Sequence, residues 1–261
     1  MPVNSDRRKE LIQLVPDSAV ISREWLMAKG LTRHAIDNLT KSGVLKSLAY
    51  GVYVREGGVP TWGDVVHFFQ RIQKLDLTIG GVTALELQGL AHYIPVSGKK
   101  TIRLYGTDKL PNWANTIIEG VQFSKHAITE LIGHSQTPED AGMMMSYTKI
   151  YNWRDAKEGL RISTTERAIL EVLTEVPRMT SFEHAAELIQ GLTTLSPRRM
   201  QNLLVTCENF KIRRLFFYLA EKNNFSWLSK LDKAKIDMGK GKRVIEKNGT
   251  LDHQYLITVP K

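Results

Sequence analysis

Residues 22–54 carry the stretch SREWLMAKGLTRHAIDNLTKSGVLKSLAYGVYV, which decides the fold of the N-terminal part. Ser22 is a favourable N-cap for a helix that ends at Gly30. Thr32 is a favourable N-cap for a second helix that runs to about Lys41. Two short helices joined by a tight turn that contains glycine have the spacing of a helix-turn-helix.

The residues on either side of this pair complete the motif. Residues 44–48 and 52–54 are rich in β-formers and flank Ala49-Tyr50-Gly51, which predicts a hairpin. Arg7 to Val15 has apolar residues at helical spacing and stops at Pro16, which predicts a preceding helix. Three helices followed directly by a hairpin predict a winged helix-turn-helix, with the hairpin as the wing.

The second helix of the pair has two contrasting faces. Its apolar residues fall on one arc of a helical wheel, and they are Leu31, Ala35, Ile36 and Leu39. The opposite arc is polar and consists of Arg33, His34, Asp37 and Lys41, flanked by Asn38 and Thr40. A helix that packs on its own domain and offers donors to bases has this division. Asp37 is repelled by phosphates unless it accepts from cytosine or pairs with Arg33.

These patterns predict a DNA-binding surface. We expect the major-groove contacts to come from Arg33, His34, Asn38 and Lys41, and the wing contacts from Lys46 and Tyr50. Ser22 and Arg23, at the start of a helix, are expected to contact phosphate. The alternative is a small domain of the same fold that is used for protein contacts.

The charge of the chain supports a polyanionic partner. The 261 residues carry a formal net charge of +9, and basic residues are dense after Ser196. We expect exposed members of Lys211, Arg213 and Arg214 to extend the phosphate contacts of the winged helix. The alternative for Arg213 or Arg214 is an internal salt bridge with Glu221 or Glu208.

The remainder of the chain mixes helices and strands, so the expected class is α+β. Residues 56–60 form a predicted linker between a winged-helix domain at 1–57 and a larger mixed α+β domain at 61–261. Strands are predicted at 101–105, 121–123 and 144–150, and helices at 61–74, 81–88, 163–173, 180–190, 196–207 and 211–221. Asn248-Gly249 predicts a hairpin between 243–246 and 255–259.

The sequence gives little support to catalysis. Residues 239–243, GKGKR, lack the glycine spacing and the Ser or Thr of a nucleoside-triphosphate loop, which leaves a basic turn that contacts nucleic acid or a solvated turn. Asp155-Ala156-Lys157 is similar to a fragment of a nuclease strand, or is an ordinary loop. No cluster with metal-ligand spacing or cofactor fingerprint is found. We therefore expect no enzymatic activity, no metal and no cofactor.

The cellular location follows from composition. Cys207 is the only cysteine, no apolar run is long enough to cross a bilayer, and the first ten residues lack the apolar core of a signal peptide. We expect a cytoplasmic protein with no membrane contact.

Several stretches resemble the AbiEi family of antitoxins from type IV toxin–antitoxin systems, over almost the whole chain. They are KIRRLFFYLAE at 211–221 with Trp227 and Leu231-Asp232, GKGKR at 239–243, LDHQYLITVP at 251–260, and ALELQGL at 84–90. His253 departs from this resemblance, because the family pattern implies proline at that position.

The resemblance implies a repressor of its own operon that binds inverted repeats at the promoter. It also implies an antitoxin that opposes a nucleotidyltransferase-like toxin without needing a stable complex, as a monomer in solution or a dimer on DNA. The alternative is a regulator whose C-terminal domain senses a small molecule in a deep apolar pocket. A nuclease fused to a DNA-binding domain ranks third.

Overall fold

The computed structural model describes residues 3–91, 98–133, 138–154 and 158–261. Its N-terminal part begins with three helices, α1 (Val3–Leu14), α2 (Arg23–Ala28) and α3 (Arg33–Lys41). Strand β1 (Ile21–Ser22) precedes α2, and β2 (Leu45–Ala49) and β3 (Val52–Arg55) follow α3. The strands form an antiparallel sheet in the order β1-β3-β2. This is the predicted winged helix-turn-helix.

Local signals explain why the two helices of the motif begin and end where they do. The Ser22 hydroxyl accepts a hydrogen bond from the Trp25 amide, and the Thr32 hydroxyl accepts one from the Ala35 amide. Each helix therefore has a side-chain N-cap, as expected from the sequence. Gly30 and Gly43 follow the two helix ends with positive φ angles of 94° and 77°, which non-glycine residues rarely adopt.

The winged helix has its own small core. Its buried residues come from all three helices and the sheet, and they are Leu11, Val15, Ile21, Leu26, Ile36, Leu39, Val44, Leu45 and Tyr53. Val52 of β3 and Val20, which precedes β1, instead lie in the core of the larger part, so the two parts pack together at these residues. The division at residues 57 to 61 stays a prediction.

The larger part is built on a mixed sheet of five strands within the described residues. Its order is β6 (Val121–Ala127), β5 (Lys100–Gly106), β4 (Leu77–Ile79), β8 (Leu160–Ser163) and β7 (Thr148–Tyr151). Neighbours β5 and β6, and β4 and β8, are parallel, while β4–β5 and β7–β8 are antiparallel. The α+β class is confirmed.

Helices surround this sheet. They are α4 (Trp62–His67), which continues into a π-helical turn (Phe68–Ile72), α5 (Gly81–Leu87), α6 (Thr129–Ile132), α7 (Pro138–Ser146), α8 (Thr165–Glu175), α9 (Phe182–Gln190), α10 (Pro197–Thr206) and α11 (Phe210–Ala220). Helix α8 packs against α5, α6, α9, α10 and α11. Every residue of α8 from Glu166 to Glu175 is buried, so it is the central helix of this part.

The predicted strand at 144–150 is wrong in its first half, because residues 144–146 end helix α7 and only Thr148–Tyr151 pair in the sheet. Three consecutive methionines have no β-branching, and they pack equally well from a helix. The strands β4 and β8 were not predicted. They are short and fully or mostly buried, so they lack the alternating pattern of a half-exposed strand.

The C-terminal sheet differs from the predicted hairpin. Strands β9 (Arg243–Val244) and β11 (Ile257–Val259) are parallel, and β10 (Thr250–Asp252) pairs antiparallel with β11. Gly249 is needed for close backbone approach, because a Cβ atom there would lie 2.0 Å from the Val259 carbonyl oxygen. Among the described residues, no helix is long and apolar enough to cross a membrane.

Candidate nucleic-acid interface

Helix α3 presents the polar face that the sequence predicts. Its apolar side, formed by Ala35, Ile36 and Leu39, is buried in the small core. The opposite side is exposed and consists of Arg33, His34, Asn38 and Lys41. Asn38 Nδ2 lies 3.1 Å from His34 Nε2, within hydrogen-bonding distance, so these two side chains order each other one helical turn apart. This face can offer donors and acceptors to base edges.

The wing is a tight hairpin whose two turn residues are Tyr50 and Gly51. Gly51 has a φ angle of 70°, which the turn requires and a side chain would oppose. The Tyr50 ring is 99% exposed, and Lys46 is exposed on the strand before it. A tyrosine without packing contributes nothing to the core, so its place at the wing tip favours an external contact.

Arg23 has partners within the domain that the sequence did not predict, and its side chain is 30% exposed beside them. Its Nη2 atom lies 3.1 Å from Asp37 Oδ1 and 2.7 Å from the Tyr53 hydroxyl, and its Nε atom lies 3.1 Å from that hydroxyl. The Asp37 carboxylate therefore pairs with Arg23 rather than with Arg33. This pair neutralises Asp37 on the helix that faces outward. It could not be predicted from local sequence, because the two residues are 14 positions apart on different helices.

The start of α2 is also used internally. Ser22 is 8% exposed and its hydroxyl caps the helix, while the Arg23 amide donates to the Gly51 carbonyl at 2.9 Å. The bond from the Arg23 amide ties the wing turn to the helix, and the Ser22 cap is a bond within α2. The phosphate contacts of Ser22 and Arg23 stay a prediction.

The predicted phosphate track on α11 is not exposed. Arg213 and Arg214 are 6% and 2% exposed, and both donate to backbone carbonyls inside the protein. The Lys211 Nζ atom is partly buried and donates to the Val176 carbonyl. The alternative of a salt bridge to Glu221 or Glu208 is also wrong, since the acceptors are main-chain oxygens. Burial removes Arg213 and Arg214 from the interface, while Lys211 is half-buried and bonded to the Val176 carbonyl.

A buried charged network was not predicted from the sequence. Glu175 accepts hydrogen bonds from the Tyr105 hydroxyl at 2.6 Å, from Arg103 Nε at 2.7 Å and from the Thr180 hydroxyl at 2.9 Å. His126 stacks on the Tyr105 ring, with the ring centroids 4.9 Å apart. Burial lowers the pKa of His126, and burial together with Glu175 raises the pKa of Tyr105 well above its ordinary value.

Glu171 is the second carboxylate of this network, one turn earlier on α8. It accepts from Arg167 Nε at 2.7 Å, from the Ser163 hydroxyl at 3.0 Å and from the Gly81 amide at 2.9 Å. Burial raises the pKa of Glu171. Two acids at i and i+4 inside an apolar helix were the signal that could have revealed it. Both carboxylates are fully engaged, so the network joins the helix to the sheet.

The described residues contain no group of three or more His, Cys, Asp or Glu that could hold a metal ion. Asp155-Ala156-Lys157, the fragment similar to a nuclease strand, lies outside the described residues. A groove of about 450 Å³ lies against α1 and the turn between α2 and α3, lined among others by Leu14, Lys29 and Leu31. It belongs to the winged helix, whereas the sensor alternative needs a pocket in the larger part.

Comparison with known proteins covers nearly the whole chain. Residues 4–96 match the family model described as the transcriptional regulator AbiEi antitoxin N-terminal domain. Residues 99–260 match the model described as the transcriptional regulator AbiEi antitoxin of type IV toxin–antitoxin systems. A search among curated proteins gave no match.

A solved structure shares the fold. The crystal structure of the RV2827C protein from Mycobacterium tuberculosis aligns over 98% of this chain and 91% of its own, with a TM-score of 0.61 and 14% identity. The two family matches together span the winged helix, the mixed sheet and the C-terminal strands. The chain therefore belongs to the AbiEi family, the antitoxin transcriptional regulators of type IV toxin–antitoxin systems.

Proposed function

We propose that this protein represses its own toxin–antitoxin operon by binding inverted repeats at the promoter. The observation that supports this most is the pairing of a free polar face on α3 with a free wing tip, at which the Tyr50 ring is 99% exposed. The internal bonds of Arg23 and Asp37 remove one repulsive charge from this surface. In this proposal α3 enters the major groove and the wing contacts the adjacent backbone.

The residues of the interface divide by role. Arg33, His34 and Asn38 lie on the first turns of α3, where a recognition helix contacts base edges. Lys41 and Lys46 lie at the end of the helix and on the wing, where phosphates are within reach of a long side chain. Base contacts set sequence preference, whereas phosphate contacts set affinity and its salt dependence.

Gel-shift binding to the DNA upstream of the gene, against scrambled DNA at two salt concentrations, tests the repressor. We expect Arg33→Ala to weaken operator binding by about 1–3 kcal/mol and to relax sequence preference. Lys46→Ala is expected to weaken binding to the operator and to scrambled DNA equally, and to make the log–log salt slope shallower by about one unit. Tyr50→Ala is expected to weaken binding with no loss of thermal stability, because the ring has no packing.

Lys109→Ala is the matched control, because it removes an exposed lysine from the larger part. It should leave the affinity for both DNAs, the salt slope and the selectivity unchanged. Equal binding of the wild-type protein to both DNAs, or an Arg33→Ala variant with unchanged affinity and preference, would show that α3 does not read the operator. Binding to a full inverted repeat and to a single half-site further distinguishes a dimer on DNA from a monomer.

We also propose that the protein opposes a nucleotidyltransferase-like toxin, and that the larger part carries this activity. Family membership supports the antitoxin role. Co-expression with the toxin of the same operon tests it by growth rescue. An Arg33→Ala, Lys41→Ala variant that no longer binds the operator should still rescue growth when it is expressed from a foreign promoter. Loss of rescue by this variant would place the antitoxin activity in the winged helix instead.

A further inference from the structure

The loop from Asp237 to Arg243 presents two lysines on a fixed backbone. Lys240 and Lys242 are exposed, and their ammonium groups contact no other described residue through a hydrogen bond or ion pair. Gly239 and Gly241 alternate with them and have positive φ angles of 66° and 75°. This loop contains the GKGKR stretch at 239–243, which the winged-helix interface does not use.

Two buried arginines hold the loop from beneath. Arg213 Nη1 donates to the Asp237 carbonyl at 2.6 Å, and Arg214 donates to the Met238 carbonyl through Nε and to the Gly241 carbonyl through Nη1, each at 2.6 Å. Three carbonyls of one short loop are therefore drawn toward the protein interior. Arg213 and Arg214 are buried, and their hydrogen bonds fix the backbone shape of the exposed loop.

The inward carbonyls turn amide groups outward. In a trans peptide the N–H points opposite to the C=O of the same unit. The Gly241 carbonyl faces Arg214, so the Lys242 amide faces away from it, and it donates to no described residue. The Gly239 amide is taken by the Asp237 carboxylate at 2.7 Å. Within the described part of the chain, the Lys242 amide therefore lies unbonded between the two lysine side chains and the solvent.

The surroundings carry an uncompensated positive charge. Neither Arg213 nor Arg214 has a carboxylate partner among the described residues, because all their acceptors are main-chain carbonyls. Arg243 follows the two lysines and donates to the Lys242 carbonyl. Residues 237–243 contain one acidic residue, Asp237, which is fewer than the cations on and beneath the loop. A bound polyanion would neutralise this excess of positive charge.

We propose that the Lys240–Lys242 loop binds phosphates of a nucleic-acid backbone, as a contact separate from α3 and the wing, and that Arg213 and Arg214 position it. Lysine is depleted at protein–protein interfaces but is a common phosphate ligand as a point charge. Gly239 packs against the Phe210 ring, whereas a Cβ atom on Gly241 would meet no atom closer than 3.8 Å, so the backbone at Gly241 is open to a tetrahedral oxyanion. These features favour phosphate over an acidic protein surface. The proposal does not depend on operator recognition by α3.

The salt dependence of binding tests the loop. The probes are a DNA duplex and an RNA duplex of the same random sequence, and the readout is fluorescence anisotropy with the full chain at several salt concentrations. We expect Lys240→Gln, Lys242→Gln to make the log–log salt slope shallower by about 1.8 on DNA if two phosphate contacts are lost. A loss with one duplex alone identifies the polymer that the loop binds.

A control of equal charge is available in Lys109→Gln, Lys149→Gln, which removes two exposed lysines far from residues 237–243 in sequence. It should change the slope by much less. Equal slopes for the loop variant and the wild-type protein on both duplexes, or an equal effect of the control, would overturn the proposal. Loss of toxin rescue with unchanged nucleic-acid binding would overturn it in favour of an acidic protein partner.

Arg214→Lys tests the positioning role, because it keeps the charge but cannot bridge two carbonyls as a guanidinium does. We expect the slope to become shallower although net charge is unchanged, at a temperature where circular dichroism shows the variant folded. An unchanged slope in the folded variant would show that Arg214 does not position the loop. Selectivity between operator and scrambled DNA should persist in every loop variant, which separates this contact from the winged-helix interface.

Discussion

Replacing Arg214 with methionine should destabilise the protein although the side chain reaches no surface. The guanidinium is 2% exposed and makes two hydrogen bonds of 2.6 Å, to the carbonyls of Met238 and Gly241. A buried hydrogen bond that involves a charged group contributes about 1.5–3 kcal/mol, and methionine leaves both carbonyls unpaired. Removing the cost of burying a guanidinium offsets part of this loss. We expect a net loss of roughly 3 kcal/mol in the free energy of unfolding.

Thermal unfolding followed by circular dichroism measures the effect. In a chain of this size, about 1 kcal/mol shifts Tm by roughly 2–4 °C, so Arg214→Met should lower Tm by about 6–12 °C. Arg198→Met is the matched control, because Arg198 is an exposed arginine on α10. It should shift Tm by less than about 2 °C, as surface substitutions do. An Arg214→Met variant as stable as the control would refute the view that Arg214 holds the C-terminal loop.

Three further changes test other contacts. Asp37→Asn should tighten DNA binding and make the salt slope steeper by about one unit, measured by anisotropy, because it frees the Arg23 guanidinium for phosphate. Glu171→Ala should lower the free energy of unfolding by about 3–5 kcal/mol in denaturant titrations, because Arg167 is left buried without its partner. Burial lowers the pKa of His126, so the unfolded chain binds more protons below about pH 6.5 and stability falls as pH is lowered through that value. His126→Gln should lose less stability on acidification, as judged from Tm at several pH values.

Each of these expectations has a clear contrary result. Weaker DNA binding by Asp37→Asn would mean that the carboxylate itself contacts a base. A Glu171→Ala variant that unfolds at the same denaturant concentration as the wild-type protein would show that the buried network is not structural. Identical pH profiles for the wild type and His126→Gln would assign the acid sensitivity to other groups.

Much of the winged helix was accessible from sequence, because its signals are local. The capping residues Ser22 and Thr32 and the glycines that follow each helix fix where α2 and α3 begin and end. Helical spacing alone divides α3 into a buried and an exposed face. Helical spacing likewise puts Leu215, Phe216 and Leu219 on one face of α11, and all three are buried.

The errors lie where a side chain meets a segment distant in sequence. Asn248-Gly249 is a hairpin signal, yet β9 pairs parallel with β11, because strand partners are decided by the packing of the whole C-terminal segment. Two acids of α8 look like exposed charges until the strands of the sheet supply their donors. Neither outcome follows from local propensity, which carries no information on pairing partners.

The sequence by itself determined that this chain is an α+β protein with a winged helix whose outward helix face and wing are basic, because caps, glycines and helical periodicity act within a few residues. Tertiary structure alone decided which cations are free. Arg23 is paired with Asp37, 14 residues away, and Arg213 and Arg214 are held by carbonyls 24 and 27 residues further along the chain. A charged residue can contact a ligand only if the fold leaves its side chain exposed and unpaired. Burial and internal partners are set by folding, so they cannot be read from the residue type alone.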